Sequence, residues 1–354
     1  MRFTTLYYCC ALCLVFAQCS IPCWADPGTV PFDYDDYESV TNIVTTLVST
    51  NTDIAYLFSL GNTYQGRQQW IVRITSDVDH DIPNNKPAVL FTCAIHGRER
   101  IPVQVGLSFL NYLCAHKTDA SIKELLDALD IYIVPMTNPD GTMYNGCCQS
   151  VNCWRKNTKL NHDRAFESIV PANGAGIDPN RNWDYEWDFI GSGKIFQVNT
   201  YRGEQPLAAQ EARAIRNFIK SHPELVVYVD WHSAVGAVLY SWNGTFDSIN
   251  NAVHRNVLMA LAEEVAQITG YVAQEGNQLY LSSADTGDSN EAIAGLVTLT
   301  IETEWDVNGL QPVFTCEMFT PPYPTSQTLL DIDNNVQAGI HILQVVKKGI
   351  YTSY

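Results

Sequence analysis

Basic residues are scarce in this sequence. Lys and Arg number 21 against 38 Asp and Glu, a formal net charge of -17. No cationic cluster is present to neutralise phosphates, so nucleic acid is excluded as a partner. Anionic membrane surfaces are disfavoured for the same reason. Cationic substrates suit this charge, although an ordinary acidic surface explains it equally well. Charge of either sign is sparse, at 17% of residues, where about 25% is usual. Apolar residues make up 46%, which excludes a disordered chain. Long apolar runs are missing beyond the N-terminus, so no later stretch is expected to span a bilayer. From the polar stretch Lys347 to Tyr354, no lipid-anchor tail is expected. Internal repeats and interdomain linkers are absent too, and 354 residues suffice for one large α/β domain with a real core.

The first residues read as a targeting segment. Arg2 precedes an apolar stretch from Leu6 to Ala17, and Cys23-Trp24-Ala25 stands before Asp26-Pro27. This predicts a secretory signal peptide over residues 1–25 and a single catalytic domain over 26–354, with Cys19 or Ser20 as alternative cleavage positions. Five of the 11 cysteines lie in that segment, leaving Cys93, Cys114, Cys147, Cys148, Cys153 and Cys316. An even number in a secreted chain predicts disulfides, with one bridge inside the turn-rich 147–153 loop and one longer bridge.

The spacing predicts helices over Tyr37 to Ser49, Ile101 to Ala115, Ser121 to Leu129, Leu207 to Lys220, Ala252 to Thr269 and Leu329 to Lys347. Strands are predicted over Ile54 to Ser59, Trp70 to Ile74, Ala88 to Ile95, Ile131 to Pro135, Leu225 to Asp230, Val238 to Trp242 and Leu296 to Ile301. Asn138-Pro-Asp-Gly141 reads as a turn and Tyr271 to Glu291 as a polar loop. Met143 to Tyr201 lacks periodicity over a length that is usually functional. Alternating strands and helices predict an α/β fold: a mixed, mostly parallel sheet covered by helices on both faces.

Three of these strands end in side chains suited to metal chemistry. Ala88 to Ile95 runs into His96-Gly97-Arg98-Glu99, Leu225 to Asp230 into Trp231-His232-Ser233, and Leu296 to Ile301 into Glu302. Gly97 is read as ending its strand so that Glu99 turns back towards His96. Ligands of α/β sheets bind beyond the carboxyl ends of strands, so these residues can converge. Two His and one Glu, with water in the fourth position, form a recurring catalytic zinc set.

With those motifs the chain resembles the secreted zinc carboxypeptidases of the pancreatic carboxypeptidase A/B type, from about Phe32 to near the C-terminus. The resemblance implies an eight-stranded zinc carboxypeptidase-like sheet and one Zn2+ held by His96, Glu99 and His232. It implies Glu302 as general base and Arg155, in Trp154-Arg155-Lys156, as the oxyanion partner. Asn180, Arg181 and Tyr280 match the residues that clamp a substrate's terminal carboxylate, and Tyr280 keeps the family's 22-residue interval to Glu302. Such a clamp restricts cleavage to the last residue of a peptide. Asp178 matches a carboxylate that orients a metal-ligating His, or else it only makes an Asp-Pro turn. Asp285 and Asp288 would line the side-chain pocket, with Asn243 deeper in it, or else the two aspartates cap turns and face water.

Some positions depart from the family pattern. Gly287 stands where basic-specific members carry an acid and apolar-specific members an Ile, which predicts a broad or dual preference that includes basic residues. Ala234 replaces a Tyr used in secondary substrate contacts. Asn243-Gly244-Thr245 is a glycosylation sequon whose glycan would block the pocket, so it is expected to stay unmodified. A folded pro-domain is not expected between Ala25 and Phe32, nor an added β-sandwich after Glu302. The expected partners are peptide or protein C-termini, and the chain is expected to be a monomer without nucleic-acid or membrane partners. The alternatives are an amidase acting on side-chain-linked glutamate or another amide, and a non-catalytic binding relative.

Overall fold

The computed structural model describes residues 34–79, 86–146, 154–159, 176–247, 249, 251–303, 316–319, 321 and 323–349. The signal-peptide prediction and the 147–153 cysteines lie outside them. Helix α1 (Tyr37–Ser49) starts at Asp36, whose carboxylate accepts from the Ser39 amide. An antiparallel hairpin follows, β1 (Ala55–Asn62) and β2 (Gln68–Ile74). Next come β3 (Ala88–Cys93), α2 (Ile101–Ala115), α3 (Ala120–Ala128), β4 (Asp130–Val134) and α4 (Pro139–Gly146). A short 3-10 turn at Pro179–Arg181 precedes α5 (Gln210–Ser221), β5 (Leu225–Ser233) and β6 (Ala237–Tyr240). The remainder is α6 (Ala252–Thr269), β7 (Val272–Glu275), α7 (Thr286–Ala294), β8 (Val297–Thr303), α8 (Cys316–Phe319) and α9 (Ser326–Lys347).

The strands form one eight-stranded sheet in the order β1-β2-β4-β3-β5-β8-β6-β7. The central run β4-β3-β5-β8 is parallel, and so is β6-β7, while β1-β2, β2-β4 and β6-β8 are antiparallel. The sheet is therefore mixed and mostly parallel, as the alternation of elements implied. Strand β3 is buried along its whole length, which explains its unbroken apolar sequence.

Side-chain alternation divides the core and positions the site. Val89, Phe91, Val227, Val229, Trp231, Val297, Leu299 and Ile301 face a cluster shared with α1, α2, α3, α6 and α9. Ala88, Leu90 and Tyr228 face a second cluster built with α5 and Trp183. By the two-residue period of a strand, Thr92, Asp230, His232 and Glu302 also point to the α5 face, at the carboxyl ends of β3, β5 and β8. The parallel register then sets His232 directly beside Glu302.

Several elements differ from expectation. Strand β3 stops at Cys93 rather than Ile95, and the chain turns at Ala94 with φ 55°. Gly97 is needed for another reason than ending the strand: a Cβ there would lie 2.3 Å from the Gly141 carbonyl. Asn138 to Gly141 opens a helix rather than a simple turn. The Asn138 carboxamide accepts from the Gly141 amide, and Pro139 is pre-shaped for the first helical position. The predicted loop from Tyr271 to Glu291 contains β7 and the start of α7. Residues Thr286 to Glu291 of α7 are all buried and all polar or Gly, so no apolar stripe marks this helix in the sequence. Cys93 and Cys114 are buried free thiols, so neither takes part in the expected longer bridge.

Candidate active site

His96, Glu99 and His232 form one buried cluster whose ligand atoms lie within 4.8 Å of one another. His96 Nδ1 is 2.7 Å from Glu99 Oε1, and His232 Nδ1 is 3.0 Å from Glu99 Oε2. The two Nδ1 atoms are 3.2 Å apart. Each imidazole turns its other nitrogen to a buried acid: His96 Nε2 lies 3.3 Å from Asp178 Oδ1, and His232 Nε2 lies 2.9 Å from Asp230 Oδ2. Those carboxylates favour the Nε2–H tautomer, which aims both Nδ1 lone pairs at one point beside a third carboxylate. Converging lone pairs and negative oxygens repel unless a cation lies between them. This nitrogen, nitrogen, carboxylate set fits zinc.

The buried charges around the cluster shift its two imidazoles in opposite directions. Burial works against the Glu99 charge, yet the two imidazoles outweigh it and hold the acid well below the usual carboxylate range. Burial and Arg155 push His96 below its ordinary value, which favours the neutral, ligating form. Burial opposes a charged His232 as well, but Asp230 and Glu99 raise it well above the usual imidazole range. Burial pushes the Glu302 carboxyl up to about 7, against the pull of His232. An acid that titrates there is well matched to proton transfer near neutral pH.

Asp178 does more than make a turn. Its Oδ1 accepts from the Asn180 amide and faces His96, while Oδ2 accepts from Arg155 Nε at 2.8 Å. Burial opposes its charge, and Arg155 and His96 hold its carboxyl far below the ordinary range. Asp178 thereby fixes the Arg155 guanidinium through Nε. The close packing of Gly97 and Gly141 helps seat this loop, since the Gly97 amide donates to the Arg155 carbonyl.

The predicted clamp residues also come together. Arg181 Nη2 donates to the Tyr280 hydroxyl at 3.2 Å, and Tyr280 is 47% exposed. Asn180 Oδ1 accepts the Thr286 amide at the start of α7. Asp285 is the N-cap of α7: Oδ1 accepts from the Asp288 amide and Oδ2 from Ser282. Asp288 accepts from the Asn243 and Gly244 amides. Both aspartates are buried, in agreement with the capping alternative but not with its solvent exposure. Burial raises both carboxyls. The Asn243 side chain hydrogen-bonds Asp285 and lies so close to Gly276 that a Cβ there would fall 1.4 Å from Asn243 Oδ1. Arg98 stacks 3.9 Å over the Phe319 ring, and burial lowers it to about 10.

Asp230 is not among the residues expected from the sequence to form the site. The signal was present in Asp230-Trp231-His232, because two residues apart on a strand share a face. Thr286 gave no signal at all, because its partners lie 56 and 106 positions away.

A family model described as zinc carboxypeptidase matches residues 40–328. A zinc carboxypeptidase of Saccharothrix mutabilis subsp. capreolus is 30% identical over 271 residues, 73% of this chain and 59% of that protein. Carboxypeptidase B of Canis lupus familiaris is 28% identical over 240 residues, 67% of this chain and 54% of its own. The chain thus spans little more than half the length of these curated relatives. The solved structure of bovine thrombin-activatable fibrinolysis inhibitor, in complex with tick carboxypeptidase inhibitor, shares the fold. Its TM-score is 0.74 at 20% identity, over 90% of this chain and 99% of that one.

Proposed function

The chain belongs to the zinc carboxypeptidase family, and from that premise we propose that it is a secreted exopeptidase that hydrolyses the last peptide bond of peptides and proteins. The observation that carries this reading is the buried His96, Glu99 and His232 cluster beside Glu302. When bound there, zinc would lower the pKa of a water and polarise the scissile carbonyl. Glu302 takes the water proton and returns it to the leaving amine. Arg155, fixed through Nε by Asp178, stabilises the oxyanion. Arg181 binds the terminal carboxylate with its planar fork, and Asn180 Nδ2 and the Tyr280 hydroxyl complete the clamp. An internal peptide bond offers no such carboxylate.

The preference is broad and includes Lys and Arg. Two buried acids, Asp285 and Asp288, flank Gly287, which has no side chain to fill the pocket. The test is digestion of peptides ending in Arg, Phe, Leu and Glu, with a γ-glutamyl amide alongside, with and without chelator, read by mass. Release of C-terminal residues only without chelator is expected. Turnover of the γ-glutamyl amide alone would replace the reading with the amidase. Asp285→Asn keeps an N-cap acceptor and should lower kcat/KM for C-terminal Arg about tenfold more than for Phe. Equal losses on both would remove Asp285 from the pocket.

A further inference from the structure

The carboxylate of Asp230 is wholly buried, on the strand that carries His232. Three side chains converge on it. Thr92 Oγ1 donates to Oδ1 at 2.7 Å, and Thr286 Oγ1 donates to Oδ2 at 3.0 Å. His232 Nε2 lies 2.9 Å from the same Oδ2. The Tyr228 hydroxyl backs Thr92 at 2.7 Å. A buried carboxylate with this many donors has its orientation fixed, and it fixes the imidazole in turn.

Thr286 faces two ways. Its hydroxyl holds Asp230, while its amide, the first of α7, donates to Asn180 Oδ1 at 2.8 Å. Four residues therefore form one continuous path: Asn180, Thr286, Asp230, His232. One end is the carboxamide of the proposed carboxylate clamp, and the other is a proposed metal ligand. The helix that supplies Thr286 also supplies the Asp285 cap and Asp288. We propose that Asp230 and Thr286 are positioning residues that tie the orientation of His232 to that of the substrate clamp, so that metal site and carboxylate site are set as one unit. This rests on the carboxypeptidase reading for its substrate side, while its metal side stands on the cluster geometry alone.

The connection makes a specific expectation. Thr286→Val keeps the shape of the side chain and the backbone amide but removes the hydroxyl that holds Asp230. If Thr286 only packs, stability alone will change. If it positions both ends, zinc affinity and KM will move together. Asp230→Asn removes the charge behind His232 while keeping an acceptor for its Nε2–H.

The experiment uses the full secreted chain. Zinc affinity is measured by competition with a chelator, and the geometry by the visible absorption of the cobalt(II)-substituted protein. KM and kcat are measured at saturating zinc on a peptide with a free C-terminus. Asp230→Asn should bind zinc about 10- to 100-fold more weakly and shift the cobalt spectrum. Thr286→Val should weaken zinc binding about tenfold and raise KM by a similar factor, and Thr286→Ser should restore both. The zinc-affinity losses of Asp230→Asn and Thr286→Val should be non-additive in the double variant. Unchanged zinc affinity and cobalt spectrum in Asp230→Asn would overturn the proposal. So would a Thr286→Val protein that loses thermal stability alone. Should Asp230→Asn not fold, the Thr286→Val and Thr286→Ser pair decides, since the hydroxyl is their difference in the network. A wild-type protein that binds zinc but releases no C-terminal residue would end the carboxypeptidase reading, and the metal measurements would still judge Asp230.

Discussion

Glu302 and Asn243 can be tested one side chain at a time. Glu302→Gln removes the proposed base while keeping its size and its place on β8. It should lower kcat by about 10²- to 10⁴-fold with zinc content unchanged, checked by metal analysis beside the hydrolysis assay. Near-normal turnover would take Glu302 out of the base role. The acid must be ionised to accept a proton, so kcat/KM should fall as pH drops through its pKa. Burial pushes that carboxyl up to about 7, and a cation bound beside it lowers it, so the acidic limb belongs at or below pH 7. A limb above pH 8 would have to come from another group. Asn243 yields a second prediction. Its carboxamide is hydrogen-bonded to Asp285 and pressed against Gly276, so intact mass from a glycosylating host should show no glycan at that sequon. The proposed metal ligands and Glu302 were legible in the sequence because they follow apolar strands. Asp285 and Asp288 were legible as acids, but Asp285 was not legible as the cap of a helix, because capping needs α7, and α7 shows no periodicity.

Among the secondary elements, α5 carries a buried acid that the proposed chemistry does not use. Glu211 lies in its first turn, wholly buried, and accepts from Asn157 in the segment that bears Arg155. Burial raises its carboxyl from 4.5 to about 7. The folded chain therefore holds this proton more tightly than the unfolded one. The associated stability is fully present below about pH 4.5 and is lost as pH rises through about 7. Glu211→Gln keeps an acceptor for Asn157 without the charge. Thermal unfolding should show the variant more stable than wild type at pH 8, by an amount on the order of 3 kcal/mol, and the two nearly equal at pH 4.5. A variant less stable at both pH values would show that the carboxylate is held by more than Asn157. The helices with exact matches, α1, α2 and α6, were legible because apolar spacing or caps mark them in the sequence. Strand β7 and helix α7 were not, since β7 gains its meaning only from pairing with β6 at the sheet edge and α7 from its contacts with β5 and β8.

For the whole molecule, the metal cluster should join activity to stability. Glu99 and both imidazoles are buried at the carboxyl edge of the central strands. An ion that binds only the folded chain stabilises it by mass action, by about 4 kcal/mol at a thousand times its Kd. Zinc added to chelator-treated protein should therefore raise Tm by several degrees and restore hydrolysis with the same dose dependence. Hydrolysis that survives complete metal removal would end the zinc mechanism. Among the described residues no helix is long and apolar enough to cross a membrane.

The sequence alone determined the strands other than β7, the α/β class and the metal chemistry. Strand burial and helix spacing are local properties, and a His or Glu after an apolar run is visible without coordinates. Only the tertiary structure decided how the site is held together. Alternation along β5 puts Asp230 behind His232, and the parallel register with β8 puts Glu302 beside it. Close backbone contact at Gly97 and Gly141 seats Arg155. The amide of Thr286 meets Asn180 across 106 positions of chain. Contacts between residues so distant in sequence arise from strand order and packing, which no local pattern encodes.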